Sequence, residues 1–282
     1  MQEMCSRLWT PSSHFHPGQL AWNWHDRTGP AAAQPAQEAI WLWRDGTRMV
    51  GFGWAEAPDW LELQVDPSYP AVADEILEWF EDWSDAQTQS VQVMADDPSE
   101  AALTAAGFAA QPHASHFSRL LLDLDELRGV PWAPGYQLQP MTGMTEAAAR
   151  ASCHVASWSD VGTSAMTGSS YAALMSTWPY RSDLDWVAVD GAGDMVASCL
   201  VWLDASTGVG LVEPVGCVPE HRGRGLASAV VLAALVRLRE IGGRRAVVSA
   251  RGDAHHPGPR QLYRSLGFRP VARTMTWSRS IG

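Results

Sequence analysis

Lysine is absent: all 20 basic residues of this 282-residue chain are arginine. A chain without lysine cannot build a Walker-A phosphate loop, a kinase catalytic lysine or a pyridoxal Schiff base. Cysteine is scarce as well. Cys5, Cys153, Cys199 and Cys217 form no C-x-x-C, no disulfide framework and no zinc-knuckle spacing, which suits small buried side chains in a reducing compartment. The 9 histidines show no H-E-x-x-H or similar ligand pattern, so no metal is expected. Long apolar runs are missing too. The longest, Leu226 to Val236, falls well short of the ~20 residues that cross a bilayer, and no apolar leader opens the sequence. These absences lead to the expectation of a cytoplasmic protein with no membrane partner.

Positive charge is in deficit, with a net charge of −11. A strongly acidic chain lacks the basic stripe that phosphate neutralisation requires, so nucleic acid is not an expected partner. The deficit is uneven. Residues 1–135 hold 6 Arg against 20 acids, whereas residues 136–282 hold 14 Arg against 11 acids. An anionic small ligand is therefore sought in the second half.

What is present is an ordinary globular composition, 46 % hydrophobic and 18 % charged, in a length that suggests two domains. A weak internal repeat supports this division. E-A-I-W-L-W-R-D, R-M-V-G-F-G-W-A-E and W-L-E-L-Q-V-D-P read as three strands joined by short turns, and D-W-V-A-V-D, M-V-A-S-C-L-V-W-L-D and V-G-L-V-E-P-V-G-C-V-P repeat the order. A helix follows each triplet. Val72, Ile76, Trp79, Phe80 and Trp83 mark the apolar stripe of the first, and Leu226, Val230, Ala233 and Ala234 fill the second. Then come a strand, a short helix and a G-F pair, Gly107-Phe108 and Gly267-Phe268. The Pro/Gly-rich stretch Leu127 to Gly135 reads as the linker, which sets domains at 1–134 and 135–282, each large enough for its own core.

Chemistry becomes visible at V-G-C-V-P-E-H-R-G-R-G-L-A-S-A-V-V, residues 215–231. A strand runs into Pro219, a turn carries Arg222, Gly223, Arg224 and Gly225, and a helix begins near Leu226. Glycines let successive amides approach a ligand, and the positive end of the new helix favours an anion such as a pyrophosphate.

R-G-R-G-L-A resembles the Arg/Gln-x-x-Gly-x-Gly/Ala signature of the GNAT superfamily of acyl-CoA N-acyltransferases, and L-Y-R-S-L-G-F resembles its second motif. The resemblance covers residues 136–282. It implies an α+β fold, a central, mostly antiparallel twisted sheet flanked by helices, in two GNAT-like domains. It also implies acetyl-CoA as co-substrate, with Cys217, Val218, Arg222, Gly223, Arg224, Gly225, Leu226 and Ala227 around the coenzyme. His256 stands where the family commonly has an Asn that contacts CoA. The first half resembles the same fold with its site dismantled. Pro70 takes the place of Arg222, Ala71 and Ala73 that of the two glycines, Asp74 and Glu75 that of Leu226 and Ala227, and Leu103 that of Tyr263. Two carboxylates at a phosphate site repel the ligand, so no CoA is expected there.

By the same resemblance the Tyr263 hydroxyl would protonate the departing thiolate. Glu213 is the only carboxylate on the strand entering the turn, and is either a general base acting directly or through water, or one half of a structural ion pair. Gly216 suggests a bulge that parts two strands, leaving the Val215 or Cys217 amide for the thioester oxygen. Cys217 is expected to pack rather than to attack. An acidic surround steers cations, which points to a small-molecule primary amine, such as an amino sugar or an amino-acid-like metabolite, between aromatic walls drawn from Trp158, Tyr171, Trp178 and Tyr180. A peptide or protein N-terminus as acceptor, a non-catalytic acyl-CoA-binding or interaction module, and a homodimer are also compatible with the sequence.

Overall fold

A computed structural model of the chain describes residues 1–27, 38–131, 133–160, 162, 164–252 and 257–281. The first half runs α1 (Gln2–Arg7), α2 (Pro17–Arg27), β1 (Glu38–Asp45), β2 (Arg48–Glu56), β3 (Trp60–Val65), α3 (Val72–Trp83), β4 (Thr88–Met94), α4 (Glu100–Ala105), β5 (Ala109–Ala110) and β6 (Phe117–Asp123). The second runs β7 (Gln137–Pro140), α5 (Ala147–Trp158), α6 (Gly168–Met175), β8 (Asp185–Val189), β9 (Met195–Asp204), β10 (Val209–Cys217), α7 (Leu226–Glu240), β11 (Arg245–Arg251), α8 (Gly258–Ser265) and β12 (Arg269–Ser280). The expected α+β class holds. Most strand pairs are antiparallel, and the parallel ones, β3 with β4 and β10 with β11, are each bridged by a helix, as a parallel pair requires.

The duplication is visible in matching details. Each parallel ladder is only three residues long, Trp60 to Glu62 against Ser90 to Gln92, and Val209 to Leu211 against Arg245 to Val247. Beyond it the two strands part. The short helices α4 and α8 also end alike. Gly107 and Gly267 adopt positive φ, the Phe108 amide bonds the Leu103 carbonyl at 2.9 Å, and the Phe268 amide bonds that of Tyr263 at 3.0 Å. These are the reverse bonds of a Schellman stop, and they fix Leu103 and Tyr263 at equivalent places.

The expectation that each half closes its own sheet is corrected. Strand order is β1-β2-β3-β4-β12-β6-β11-β10-β9-β8-β7, with β5 also on β12. Strand β6, from the first half, pairs along its whole length with β11. Strand β12, from the second half, leaves β6 at Arg273 and continues along β4 from Thr274 to Ser280. A boundary near residue 134 thus marks the linker in sequence while the sheets exchange strands across it. Helix α2 crosses too. A Cβ on Gly18 would fall 2.1 Å from Cβ of Trp202, so only glycine lets α2 lie directly on β9. The His16 ring accepts from the Gly18 amide at 3.1 Å and reaches the Val209 carbonyl at 3.3 Å.

The core follows from this exchange. Helix α7 is apolar on nearly every side and is buried over Leu226, Ala229 to Leu235 and Leu238, as a helix roofed by neighbours must be. Leu120, Leu122 and Leu124 of the first half join its cluster, whereas Trp277 of the second joins the cluster under α3. At the base of α5, Arg150 pairs with Asp185 at 2.9 Å, both wholly buried, and Tyr171 and Tyr180 donate to the same carboxylate. These two tyrosines are therefore structural rather than pocket walls, and Trp178 is 56 % exposed. Of the four expected aromatic walls, Trp158 remains. Among the described residues no helix is long and apolar enough to cross a membrane, and no three His, Cys, Asp or Glu gather as a metal site.

Candidate active site

The turn before α7 is built by backbone conformation rather than by packing. Gly223 and Gly225 sit at φ 75° and 78°, where a side chain is strained, yet a Cβ on either would meet nothing within 4 Å. The space before them is open. Gly225 caps α7 without any side-chain hydrogen bond, so the first amides of the helix have no partner within it. Leu226 is buried and Ala227 half-buried; both offer the site their amides only. Unpaired amides at a positive helix end suit an anion.

The two arginines behave differently from solvated charges. Arg222 donates to Asp160 Oδ2 at 2.5 Å and Oδ1 at 2.9 Å, to the Ser157 carbonyl at 2.8 Å and to the Cys217 carbonyl at 3.0 Å. Its guanidinium ties the turn to the C-terminal end of α5. Arg224 donates to the Tyr136 hydroxyl at 2.8 Å, and that hydroxyl lies 2.9 Å from Nδ1 of His221.

Strand β10 leads into this turn. Its pairing with β9 shifts register between Val212 and Val215, so the irregularity lies at Glu213 and Pro214 rather than at the expected Gly216. Gly216 has another cause: a Cβ there would fall 2.7 Å from Cβ of Ser157, which lets α5 press on the strand. The amide of Val218 bonds Val196, and antiparallel pairs alternate between bonded and non-bonded. Val215 and Cys217, opposite Cys199 and Ala197, are then non-bonded pairs whose amides face the gap left by β11. The half-buried Cys217 thiol is pushed up to about 11 by burial and stays protonated at neutral pH, in keeping with packing. Val218, also half-buried, closes the strand beside it.

Where β10 and β11 part, a cavity of about 390 Å³ opens, and Glu213 and Tyr263 both line it. The two residues expected to carry the chemistry, 50 positions apart in sequence, meet here. Tyr263 projects from α8, its ring edge-on to Phe268 at 5.6 Å. Burial, reinforced by Cys199 and Glu213, raises its phenol above the usual range, so it holds its proton. The Glu213 carbonyl accepts from the Trp202 indole at 2.7 Å, fixing the backbone of the irregular stretch. His256 lies outside the described residues.

Sequence reasoning missed a set of residues from the first half. Trp22 and Asp26 of α2 and Phe117 of β6 line the cavity, as does His154 of α5. Arg119, buried on β6, donates to the Ser13 and His14 carbonyls at 3.0 and 2.5 Å. Burial pulls it down to about 10, opposed by the Glu213 carboxylate. Arg119 is thus an arginine that feels Glu213, and it comes from the other half.

The equivalent opening between β3 and β4 is smaller, about 240 Å³, and its walls include Leu8, Ser13 and His14 of the N-terminal segment. The helix beyond it, α3, begins with Asp74 and Glu75 in its first turn, which satisfy its positive end with the chain's own carboxylates.

Residues 152–268 match the family model described as Acetyltransferase (GNAT) family. No curated protein matches the chain. Among solved structures, a GCN5-related N-acetyltransferase from Sphaerobacter thermophilus is 18% identical with a TM-score of 0.63, over 95% of this chain and 86% of that one. A tandem GNAT protein from the clavulanic acid biosynthesis pathway is 22% identical, also at 0.63, over 94% and 95%. A GNAT-family acetyltransferase from Colwellia psychrerythraea is 14% identical at 0.60, over 95% and 91%. Residues 152–268 are a domain of the acetyltransferase (GNAT) family, carried in a chain whose two halves form a tandem GNAT arrangement.

Proposed function

We propose that the chain transfers the acetyl group of acetyl-CoA to a primary amine of a small molecule by direct attack, using the site in the second half alone. The observation that carries this reading is the meeting of Glu213 and Tyr263 in one cavity at the parting of β10 and β11. The amides of Gly223 to Ala227 hold the pyrophosphate, and the pantetheine arm lies along β10. Amides of Val215 and Cys217 stabilise the developing oxyanion. Glu213, directly or through water, takes a proton from the ammonium and frees the nitrogen lone pair. The nitrogen attacks the thioester carbonyl, a C–N bond forms, and the C–S bond breaks as the tetrahedral carbon collapses. Tyr263 gives its proton to the thiolate, and the nitrogen loses its second proton to solvent. No acyl-enzyme is needed, in keeping with a protonated Cys217.

The first half, with its opening lined by Leu8 to His14 and acids at its helix start, binds no CoA on this reading. The test is thiol release from acetyl-CoA with a panel of primary amines. Tyr263→Phe should cut kcat by roughly 10²-fold, the scale of general acid catalysis, with KM for acetyl-CoA little changed. Equal turnover by wild type and variant would remove the acid from the scheme.

A further inference from the structure

Acyl transfer uses Glu213 and Tyr263 but leaves the first-half side of the same cavity without a task. That side is built by one face of α2. Gly18 presses on Trp202, and Trp22 and Asp26 follow at successive four-residue steps, which places all three on the helix face turned to the second half. Trp22 is buried and meets His154 edge-on at 5.1 Å, and His154 lies 6.2 Å from Trp158. Three rings thus run across the junction of the halves along the cavity wall. Ser164 donates to Asp26 Oδ1 at 3.3 Å, holding the half-buried carboxylate at that wall. Burial, and then Arg150, lower His154 to about 3, so it adds no positive charge. Among the described residues the lining carries two carboxylates, Asp26 and Glu213, against one guanidinium, Arg251.

We infer that α2 of the first half is the acceptor-recognition element, in which Asp26 and Trp22, with His154 and Trp158, select a cationic amine bearing an apolar or aromatic body. This rests on the acyl-transfer reading above. Aromatic faces attract a cation, and more so when it is shielded from water. Asp26 supplies a charge-assisted bond. Discrimination comes from cost as well as gain: the carboxylate of an amino acid would face Asp26 and Glu213, and sugar hydroxyls would lose water against rings that cannot bond them.

Steady-state turnover of acetyl-CoA with phenylethylamine, glucosamine and glycine, by wild type and Asp26→Asn, tests this. Phenylethylamine should lead in kcat/KM by about tenfold or more, and Asp26→Asn should raise its KM about tenfold, with KM for acetyl-CoA within about twofold. Unchanged amine KM in Asp26→Asn, or preference for glycine or glucosamine, would overturn the inference while leaving acyl transfer standing. Absence of turnover with every amine would instead count against acyl transfer. Calorimetric binding of phenylethylamine then still decides, because weaker binding by Asp26→Asn supports the site, whereas equal binding or none in the wild type refutes it. Trp22→Leu, with its thermal unfolding checked, gives a second variant with the same expected loss.

Discussion

Arg222 grips both carboxylate oxygens of Asp160, at 2.5 and 2.9 Å, while its remaining donors reach the carbonyls of Ser157 and Cys217. The signature arginine therefore acts as a brace between the coenzyme turn and α5. Both partners are over 40 % exposed, so the pair contributes at most about 1 kcal/mol to folding. Asp160→Ala should leave thermal unfolding nearly unchanged but weaken CoA binding by roughly threefold to tenfold as the turn loosens. Calorimetric titration checks it; unchanged affinity would show that the turn needs no brace.

The Arg150–Asp185 pair is the opposite case, fully buried and shared with two tyrosine hydroxyls. Removing one member leaves a charge without its partner in the core. Arg150→Leu should cost about 3–5 kcal/mol in urea unfolding. A loss below 1 kcal/mol would mean that water enters this region.

Stability should also depend on pH through His16, which sits between the halves. The Gly18 amide donates to its Nδ1, and Nε2 faces the Val209 carbonyl, so the neutral tautomer fills both bonds. Burial, only partly opposed by the Val209 bond, lowers it from 6.5 to about 4. Between those values the unfolded chain takes up a proton that the folded chain refuses. The stabilisation is full above pH 6.5 and is lost as pH falls toward 4, at up to ~1.4 kcal/mol per unit. Urea unfolding at pH 7.5 and 5 should show this fall, and His16→Gln should show a smaller one. Equal falls would shift the cause elsewhere.

Gly225→Ala forces a side chain into a left-handed position at the head of α7. The strain of ~1–2 kcal/mol should appear in unfolding, and CoA affinity should drop about tenfold or more. A Cβ there meets nothing, so retained affinity would mean that the turn's shape is not what binds.

Features carried by local pattern were legible in the sequence. The turn glycines, the apolar α7 and the L-G-F stop of α8 each depend on neighbours within a few residues, and they placed Tyr263 and Glu213 at one opening. The strand irregularity was misassigned to Gly216 because a glycine in a strand signals either a bulge or a close neighbour, and only the position of Ser157 decides between them. Trp22, Asp26 and Arg119 carried no signal, since their approach to Glu213 depends on α2 and β6 crossing to the other half. The division of β12 between β6 and β4 was hidden for the same reason: Arg269 to Ser280 reads as one strand whichever sheet receives it.

The account turns on a single coenzyme site, at the parting of β10 and β11. Isothermal titration of the intact chain with CoA measures it directly: one molecule bound per chain is the predicted result, and two, or none, would contradict it.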